Sequence, residues 1–221
     1  MLSLPHHSPP SSGPGGVISA PTQVNPPRVM VFLDYQNFHL TAHGQFQRPG
    51  VSLARTHLDP VKLAELLVSR RNTGGQLVGV RIYRGDPDRR RQPRAHAATD
   101  RQASAWGRNQ VVTVIRRPLR YPSGWPQVPP QEKGIDVALA VDFVRLAVER
   151  AYDVGVLASL DSDFLPAIET VVDLKLARVE VASWTTTFRL RLPGRNLPWC
   201  HHLDRDDYRA VLDGTDYTST A

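Results

Sequence analysis

The sequence predicts one α/β domain, a parallel sheet with helices on both of its faces. Short apolar runs rich in strand-forming residues alternate along the chain with amphipathic segments of helical length. No internal repeat and no second block of alternating elements follows the first. Hydrophobic residues form 41% of the 221-residue chain, which is enough to build one ordinary core without disulfides.

The predicted elements follow one another at regular spacing. The first strand, 29–33, is wholly apolar and stops at Asp34. A helix over 58–70 follows, with Asp59 as its N-cap and Pro60 at its first position. A proline-rich stretch over 117–133 is predicted to be a long loop. The remaining strands are predicted at 77–83, 111–115, 154–159, 178–182 and 200–203, and the remaining helices at 91–106, 135–150, 164–174 and 206–212.

Both ends of the chain are predicted to lie outside the domain. Residues 1–27 are rich in Pro, Ser and Gly and are expected to form a disordered tail, the folded domain is expected over 28–213, and 214–221 is expected to be a flexible tail. The N-terminus lacks the basic and apolar regions of a secretory signal, and no apolar run approaches the length of a membrane span. The single cysteine, Cys200, cannot form an internal disulfide. We therefore expect a cytoplasmic protein without a membrane role.

Four aspartates fall where a parallel sheet binds its ligands. Asp34 ends the first strand, Asp161 and Asp163 follow the fourth, and Asp136 lies in the first turn of the helix after the long loop. Strand carboxyl ends and helix N-termini share one edge of such a sheet, so these acids are expected to converge. Two carboxylates about 4 Å apart repel by roughly 4 kcal/mol at an effective dielectric of 20, and a divalent cation removes that penalty. Oxygen ligands without His or Cys favour Mg²⁺ or Mn²⁺.

Each acid alone also has a purely structural interpretation. Asp34 could cap the turn after its strand, Asp136 could favour a helix dipole, and Asp161 could be the N-cap of the next helix. All four at one predicted edge favour a functional site.

The positive charge of the chain is consistent with a polyanionic partner. The net charge is +6 and is carried mainly by arginine, whose planar fork suits phosphate oxygens, although a GC-rich genome also enriches arginine. Basic residues interleaved with aromatics suit single-stranded RNA. The alternative is a solvated loop whose rings pack onto the core. The candidate RNA-binding residues near the long loop are Arg116, Arg117, Arg120, Tyr121, Trp125 and Lys133.

Three segments carry a resemblance to a known family: VFLDYQN (Val31–Asn37), EKGIDVALAVD (Glu132–Asp142) and LASLDSDFLPAIE (Leu157–Glu169). In order and spacing, the region over about 28–183 resembles the NYN domain family, the LabA-like branch of the PIN-like nuclease superfamily. The resemblance implies a Rossmann-like three-layer α/β/α sandwich with a mainly parallel sheet, and metal-dependent endonuclease activity on RNA.

The resemblance also assigns roles to particular residues. Asp34 matches the first acid of the family, and Asn37 the polar residue that fixes this acid or the substrate. Asp136 matches the acid of the K-G-x-D segment, and Asp161 and Asp163 match the two acids of S-x-D-S-D-F. These five residues are the predicted catalytic set, and the four aspartates are the predicted metal ligands.

Two further positions need separate treatment. Asp142 matches a common family position, but six residues along a helix from Asp136 is a rotation of about 240°, so a structural role is expected. Leu160 stands where the family usually has glycine, and this substitution is expected to alter substrate access or metal affinity.

The predicted function is hydrolysis of RNA phosphodiesters by metal-activated water at the aspartate cluster. Three alternatives remain open at the level of sequence: a NYN module that binds RNA or a protein partner without cutting, a phosphatase, and a DNA nuclease. A homodimer is a further possibility for this fold class.

Overall fold

The computed structural model describes residues 25–159, 161–185 and 198–219. Leu160 and nearly all of the predicted N-terminal tail lie outside the described residues. At the other end, Tyr217 is buried, and its hydroxyl donates a hydrogen bond to Asp213 at 2.7 Å. Packing therefore continues past residue 213, where the predicted domain ends.

A six-stranded sheet forms the centre of the domain, and all of its neighbouring strands are parallel. Its strand order is β3-β2-β1-β4-β5-β6. Every predicted strand is present, some of them longer than predicted. The bounds are β1 Arg28–Asp34, β2 Gln76–Asp86, β3 Val112–Pro118, β4 Val154–Ala158, β5 Arg178–Trp184 and β6 Trp199–Leu203.

Within the ranges that the structure describes, six α-helices connect or follow the strands, and one of them was not predicted. The bounds are α1 Tyr35–Phe46, α2 Pro60–Ser69, α3 Pro93–Trp106, α4 Ile135–Val148, α5 Leu165–Asp173 and α6 Arg205–Ala210. At the start of α2, the Asp59 side chain accepts hydrogen bonds from the backbone of Val61 and Lys62, which confirms the predicted N-cap. Helix α1 is a correction, because no element was predicted over 35–46.

Helices cover both faces of the sheet and give it a separate core on each side. On the first face, α1, α2 and α6 and the end of α3 pack against alternate β1 residues such as Val31 and Leu33. On the second face, α4 and α5 pack around Phe32. The predicted three-layer α/β/α sandwich is therefore confirmed.

Among the described residues, two helices, α4 and α5, cover the second face of the six strands. α4 packs against β1 and β2, and α5 packs against β5, so the edge strand β3 is left largely uncovered there. Ile115 of β3 belongs to this face and is only half-buried. A groove therefore remains between β3 and α4.

The strand order also fixes where a ligand site can form. From β1, the chain adds β2 and β3 on one side and β4, β5 and β6 on the other. The order therefore reverses between β1 and β4, and the helices that follow these two strands diverge and leave a crevice at the carboxyl edge. Asp34 and Ser159 stand at this crevice, one at the end of each central strand.

Candidate active site

Asp34 and Ser159 join the two central strands at their carboxyl ends. Asp34 is the last residue of β1 and is only 3% exposed, and Ser159 directly follows β4. The Ser159 hydroxyl donates to Asp34 Oδ2 at 3.0 Å and accepts from the Asp161 backbone N–H at 3.2 Å. One serine therefore positions two predicted acids. The sequence analysis gave Ser159 no role, although it begins the S-x-D-S-D-F segment.

The Asp34 carboxyl group is electrostatically unusual. Burial raises its pKa from 3.8 to about 7, and the negative charges of Asp136 and Glu132 act in the same direction. The hydrogen bond from Ser159 and the backbone amide of Asn37 lower the pKa and offset part of this effect. Asp34 is therefore an acid for which ionisation is unfavourable until a cation is nearby.

Asp161 and Asp163 are held by a short 3-10 turn, Ser162–Phe164. Asp161 is its N-cap, and its Oδ1 accepts a hydrogen bond from the Asp163 backbone N–H at 3.0 Å. Phe164 is buried and anchors the turn, while the side chain of Asp163 remains exposed. The predicted N-cap role of Asp161 is therefore present, and it leaves the other carboxylate oxygen available.

Asp136 reaches the same site from α4. Gly134, just before the helix, has φ +77°, a left-handed conformation that residues with a Cβ rarely adopt. Burial raises the pKa of Asp136, and the charges of Asp161 and Asp163 raise it further. The first turn of α4 and the turn after β4 therefore face each other, as the sequence predicted.

Glu132 is a fifth acid at this edge, and it was not predicted. Its Oε1 accepts the backbone N–H of Gly85 in β2 at 2.5 Å. Burial raises the pKa of Glu132, and the charge of Asp136 adds to this. A Cβ on Gly85 would lie 2.4 Å from Leu119 Cδ2 and 2.8 Å from Glu132 Oε1, so a larger residue there would require both side chains to shift. Glu132 is the first residue of the EKGID segment, and its role can be recognised only from its contact with β2 in the fold.

Asn37 lies in the first turn of α1, directly after Asp34. Its side-chain oxygen Oδ1 is buried and has no hydrogen-bond partner in the structure. A buried acceptor without a partner is unfavourable by roughly 1–3 kcal/mol. The site therefore contains one more oxygen that a cation, a water or a substrate hydroxyl would satisfy.

The donor set fits a hard divalent cation held partly through water. Within the described ranges, no three His, Cys, Asp or Glu side chains lie close enough together to hold a metal ion jointly. Mg²⁺ keeps several waters and is commonly held by one or two carboxylates together with substrate phosphate. The carboxylates of this site are all oxygen donors, and they raise the pKa of one another, so a cation nearby would be favourable. Both properties suit that mode of binding.

The predicted RNA-binding residues fall into two groups. Arg116 is already paired, with Asp100 at 3.1 Å and Asp86 at 3.6 Å. The Tyr121 hydroxyl donates to Gln92 and accepts from the Asp88 backbone, and its ring lies under Arg91 and against the edge of Trp125. These contacts dock the long loop onto the segment between β2 and α3. The rings therefore pack on each other and on this segment rather than on either core, and their part in RNA binding stays a prediction.

Arg117, Arg120 and Lys133 form the second group, and all three are exposed. Arg117 and Lys133 line the groove between β3 and α4, and Lys133 precedes Asp136 by three residues. Arg120 lies in the loop, where its backbone pairs with Gln131.

Asp142 serves to fix α4 on the sheet. Its Oδ2 accepts from Arg81 at 2.6 Å and from the Tyr83 hydroxyl at 2.8 Å, and its Oδ1 accepts from Arg145 at 3.0 Å. These contacts hold its pKa below the ordinary value. A structural role, as expected from its position on the helix, agrees with this geometry.

The fold and the acidic edge together define a Rossmann-like α/β domain with a nuclease-like site. The NYN domain model matches residues 28–191, and the chain belongs to the NYN domain family. NYN domains are generally nucleases and typically use divalent metals. A comparison with curated proteins gives no match.

Among solved structures, the chain is similar to a protein of unknown function from Vibrio parahaemolyticus. The two share 17% identity with a TM-score of 0.48, over 73% of this chain and 83% of the other. Among the helices of the described residues, none combines the length and apolar character needed to cross a membrane.

Proposed function

We propose that the protein is a metal-dependent endoribonuclease that hydrolyses phosphodiester bonds of single-stranded RNA. The observation that supports this proposal is that Ser159 bridges Asp34 and Asp161 at the switch point of the sheet, while the charge of Asp136 acts on Asp34 and the charges of Asp161 and Asp163 act on Asp136. Mutual repulsion among such groups is unfavourable unless the site holds a cation.

One or two of the four aspartates would hold Mg²⁺ or Mn²⁺ directly and the others through water, with Asn37 Oδ1 completing the hydrogen bonding of the site. When bound, the metal would supply an activated water and neutralise charge on the phosphoryl group. Ser159 fixes the orientation of Asp34, and the 3-10 turn fixes Asp161. Glu132 holds the end of β2 against the loop and keeps the entry to α4 in place.

The test is cleavage of 5′-labelled single-stranded RNA with Mg²⁺ or Mn²⁺, compared with the same reaction in EDTA. Asp161→Asn should abolish internal cleavage, because an amide is a neutral and weaker metal ligand. Asparagine also caps helices well, so this variant should keep its fold. Glu65→Gln, a neutralised acid on the exposed side of α2, is the matched control and should cut like the wild type.

Cleavage by Asp161→Asn at the wild-type rate would refute the assignment. RNA that shifts on a gel without being cut would instead identify a binding module, and hydrolysis confined to small phosphate esters would identify a phosphatase. Single-stranded DNA of the same sequence, run beside the RNA, measures the preference between the two nucleic acids.

A further inference from the structure

We infer that the groove between β3 and α4 binds the nucleotide adjacent to the scissile phosphate. This inference rests on the proposed ribonuclease function, and it adds a substrate subsite to it. The groove has a volume of about 430 Å³ and lies between Ile115 and Arg117 on one side and Lys133, Val137 and Val141 on the other.

The groove results from the layout of the sheet. Alternate residues of β3 face the layer of α4, which packs against β1 and β2 and leaves this edge strand open. Ile115 therefore contributes an apolar floor, and Arg117, two residues further on, lies at the carboxyl end of β3 on the same face. The end of the groove marked by Arg117 thus lies at the carboxyl ends of the strands, where the acids also lie.

Two cations stand at this groove and are available to a ligand. Arg117 and Lys133 are exposed, and neither side chain has an ion-pair or hydrogen-bond partner in the part of the chain that the structure describes. The one acid in the lining, Asp142, is already neutralised by Arg81 and Arg145. The field in the groove is therefore positive, which suits a phosphate of the RNA backbone.

The helix side of the groove is apolar. Val137 is 65% exposed and Val141 is 56% exposed, and they lie one turn apart on the same face of α4. Exposed valines disfavour a helix slightly, so this pair is not explained by the stability of α4. A nucleobase has an apolar face and polar edges, and apolar side chains are common walls for one.

The distance to the acids matches this occupant. Asp136 and Val141 are five residues apart on α4, which is about 7.5 Å along the helix axis and about 140° around it, so a strand that reaches both passes over the first turn of the helix. A strand whose phosphate lies at Asp136 can therefore place its neighbouring base against the valines, with the flanking phosphates near Lys133 and Arg117. Charge, apolar wall and position all fit a single-stranded nucleic acid.

The test measures RNA binding in the Asp161→Asn protein with Mg²⁺, so that cutting does not interfere. The probe is a short labelled oligouridylate, titrated over a range of salt concentrations. Arg117→Ala should weaken binding and reduce the slope of log affinity against log salt by about 0.7, the value for one contact to a single-strand phosphate. Arg108→Ala is the matched control, because this exposed arginine follows α3 at the opposite edge of the sheet.

A second pair of variants tests the apolar wall. Val141→Ala removes two methylene equivalents from a side chain that is about half exposed, so a bound base would cover about one of them. Binding should therefore weaken roughly fourfold, about 0.8 kcal/mol, with the salt slope unchanged. Val148→Ala is the matched control, since Val148 is 58% exposed on the same helix but does not line the groove. It should bind RNA like the parent protein.

Equal binding by the Val141 and Val148 variants would overturn the inference. The inference would also fail if light scattering showed a dimer for the parent protein and a lower molecular mass for both valine variants. In that case a second copy of the chain would cover the valines. Cleavage by the protein with wild-type Asp161, measured separately, keeps the two proposals apart. If the protein cuts RNA and Val141→Ala changes nothing, the groove proposal alone is refuted. If the groove variants weaken RNA binding but the protein does not cut, the nuclease proposal alone is refuted.

Discussion

Replacing Asp34 with asparagine should stabilise the metal-free protein at neutral and alkaline pH. Asp34 is almost fully buried, and its pKa is raised from 3.8 to about 7. In the pH range between these values, the folded state binds a proton that the unfolded state has released. Stability therefore falls as the pH rises through this range, because the buried group must ionise.

The size of the effect follows from the width of that range. About three pH units at 1.36 kcal/mol each give a penalty of about 4 kcal/mol once Asp34 is fully ionised. At about pH 5 the same linkage gives only about 2 kcal/mol, since the folded state still holds its proton. Asparagine has a similar shape and can accept the hydrogen bond from Ser159, so the variant removes the charge and keeps the contact.

Urea unfolding in EDTA at about pH 5 and about pH 8 measures this difference. The free energy of unfolding of Asp34→Asn should exceed that of the wild type by roughly twice as much at about pH 8 as at about pH 5. Mg²⁺ should reduce this difference, because it binds and stabilises the wild type. Asp153→Asn is the control, since this exposed acid is paired with Arg28 and its pKa lies below the ordinary value. An Asp34→Asn protein that is less stable than the wild type at both pH values would refute the electrostatic reasoning.

Three further predictions follow from the same structure. Gly134→Ala should lose roughly 1 kcal/mol of stability, because Gly134 has a positive φ, and should lower the cleavage rate by moving Asp136. Gly44→Ala in α1 is the control and should have neither effect. Unfolding curves measure the stability of both variants, and RNase assays measure their activity. Asp59→Ala should lower the free energy of unfolding by about 1 kcal/mol through loss of the α2 N-cap and leave cleavage unchanged, so a parallel loss of activity would contradict it. Burial lowers the pKa of His39 to about 3. Below about pH 6.5 the histidine of the unfolded chain binds a proton that the folded state does not bind, so stability should fall as the pH drops. Acid titration of His39→Gln should show a smaller fall, and an equal fall would exclude His39 as its source.

The main outline of the fold could be predicted from apolar patterns and turn residues. The run ending at Asp34 and the capped start of α2 contain their own local signals, and both appear in the structure. Helix α1 lacks such a signal. Its buried face includes His39 beside Tyr35 and Phe38, and a buried histidine breaks the apolar periodicity on which helix prediction depends.

The candidate site was predictable to a similar degree. The acids on strand ends and helix starts could be assigned to one edge, because topology alone fixes that edge. Glu132 and Ser159 were missed for a different reason. Glu132 meets Gly85 across 47 residues of sequence and Ser159 meets Asp34 across 125, so only the folded chain shows either contact. The packing of Tyr121 against Trp125 is likewise seen only once the loop is placed.

The position of Asp34 at the end of β1, with its partner Ser159 directly after β4, also determines how the site moves. These central strands are paired on both sides, so their amides should exchange with solvent only when the whole domain opens. Among the described residues, the loop that carries Arg120 is tied to the sheet through the backbone bond from Leu119 to Asp86 and closed by the pairing of Arg120 with Gln131, so it can open locally at a smaller free energy than the central strands. Under the proposed function, rigid central strands would stand beside an adaptable loop, and RNA strands of different local shape could be admitted without moving Asp34.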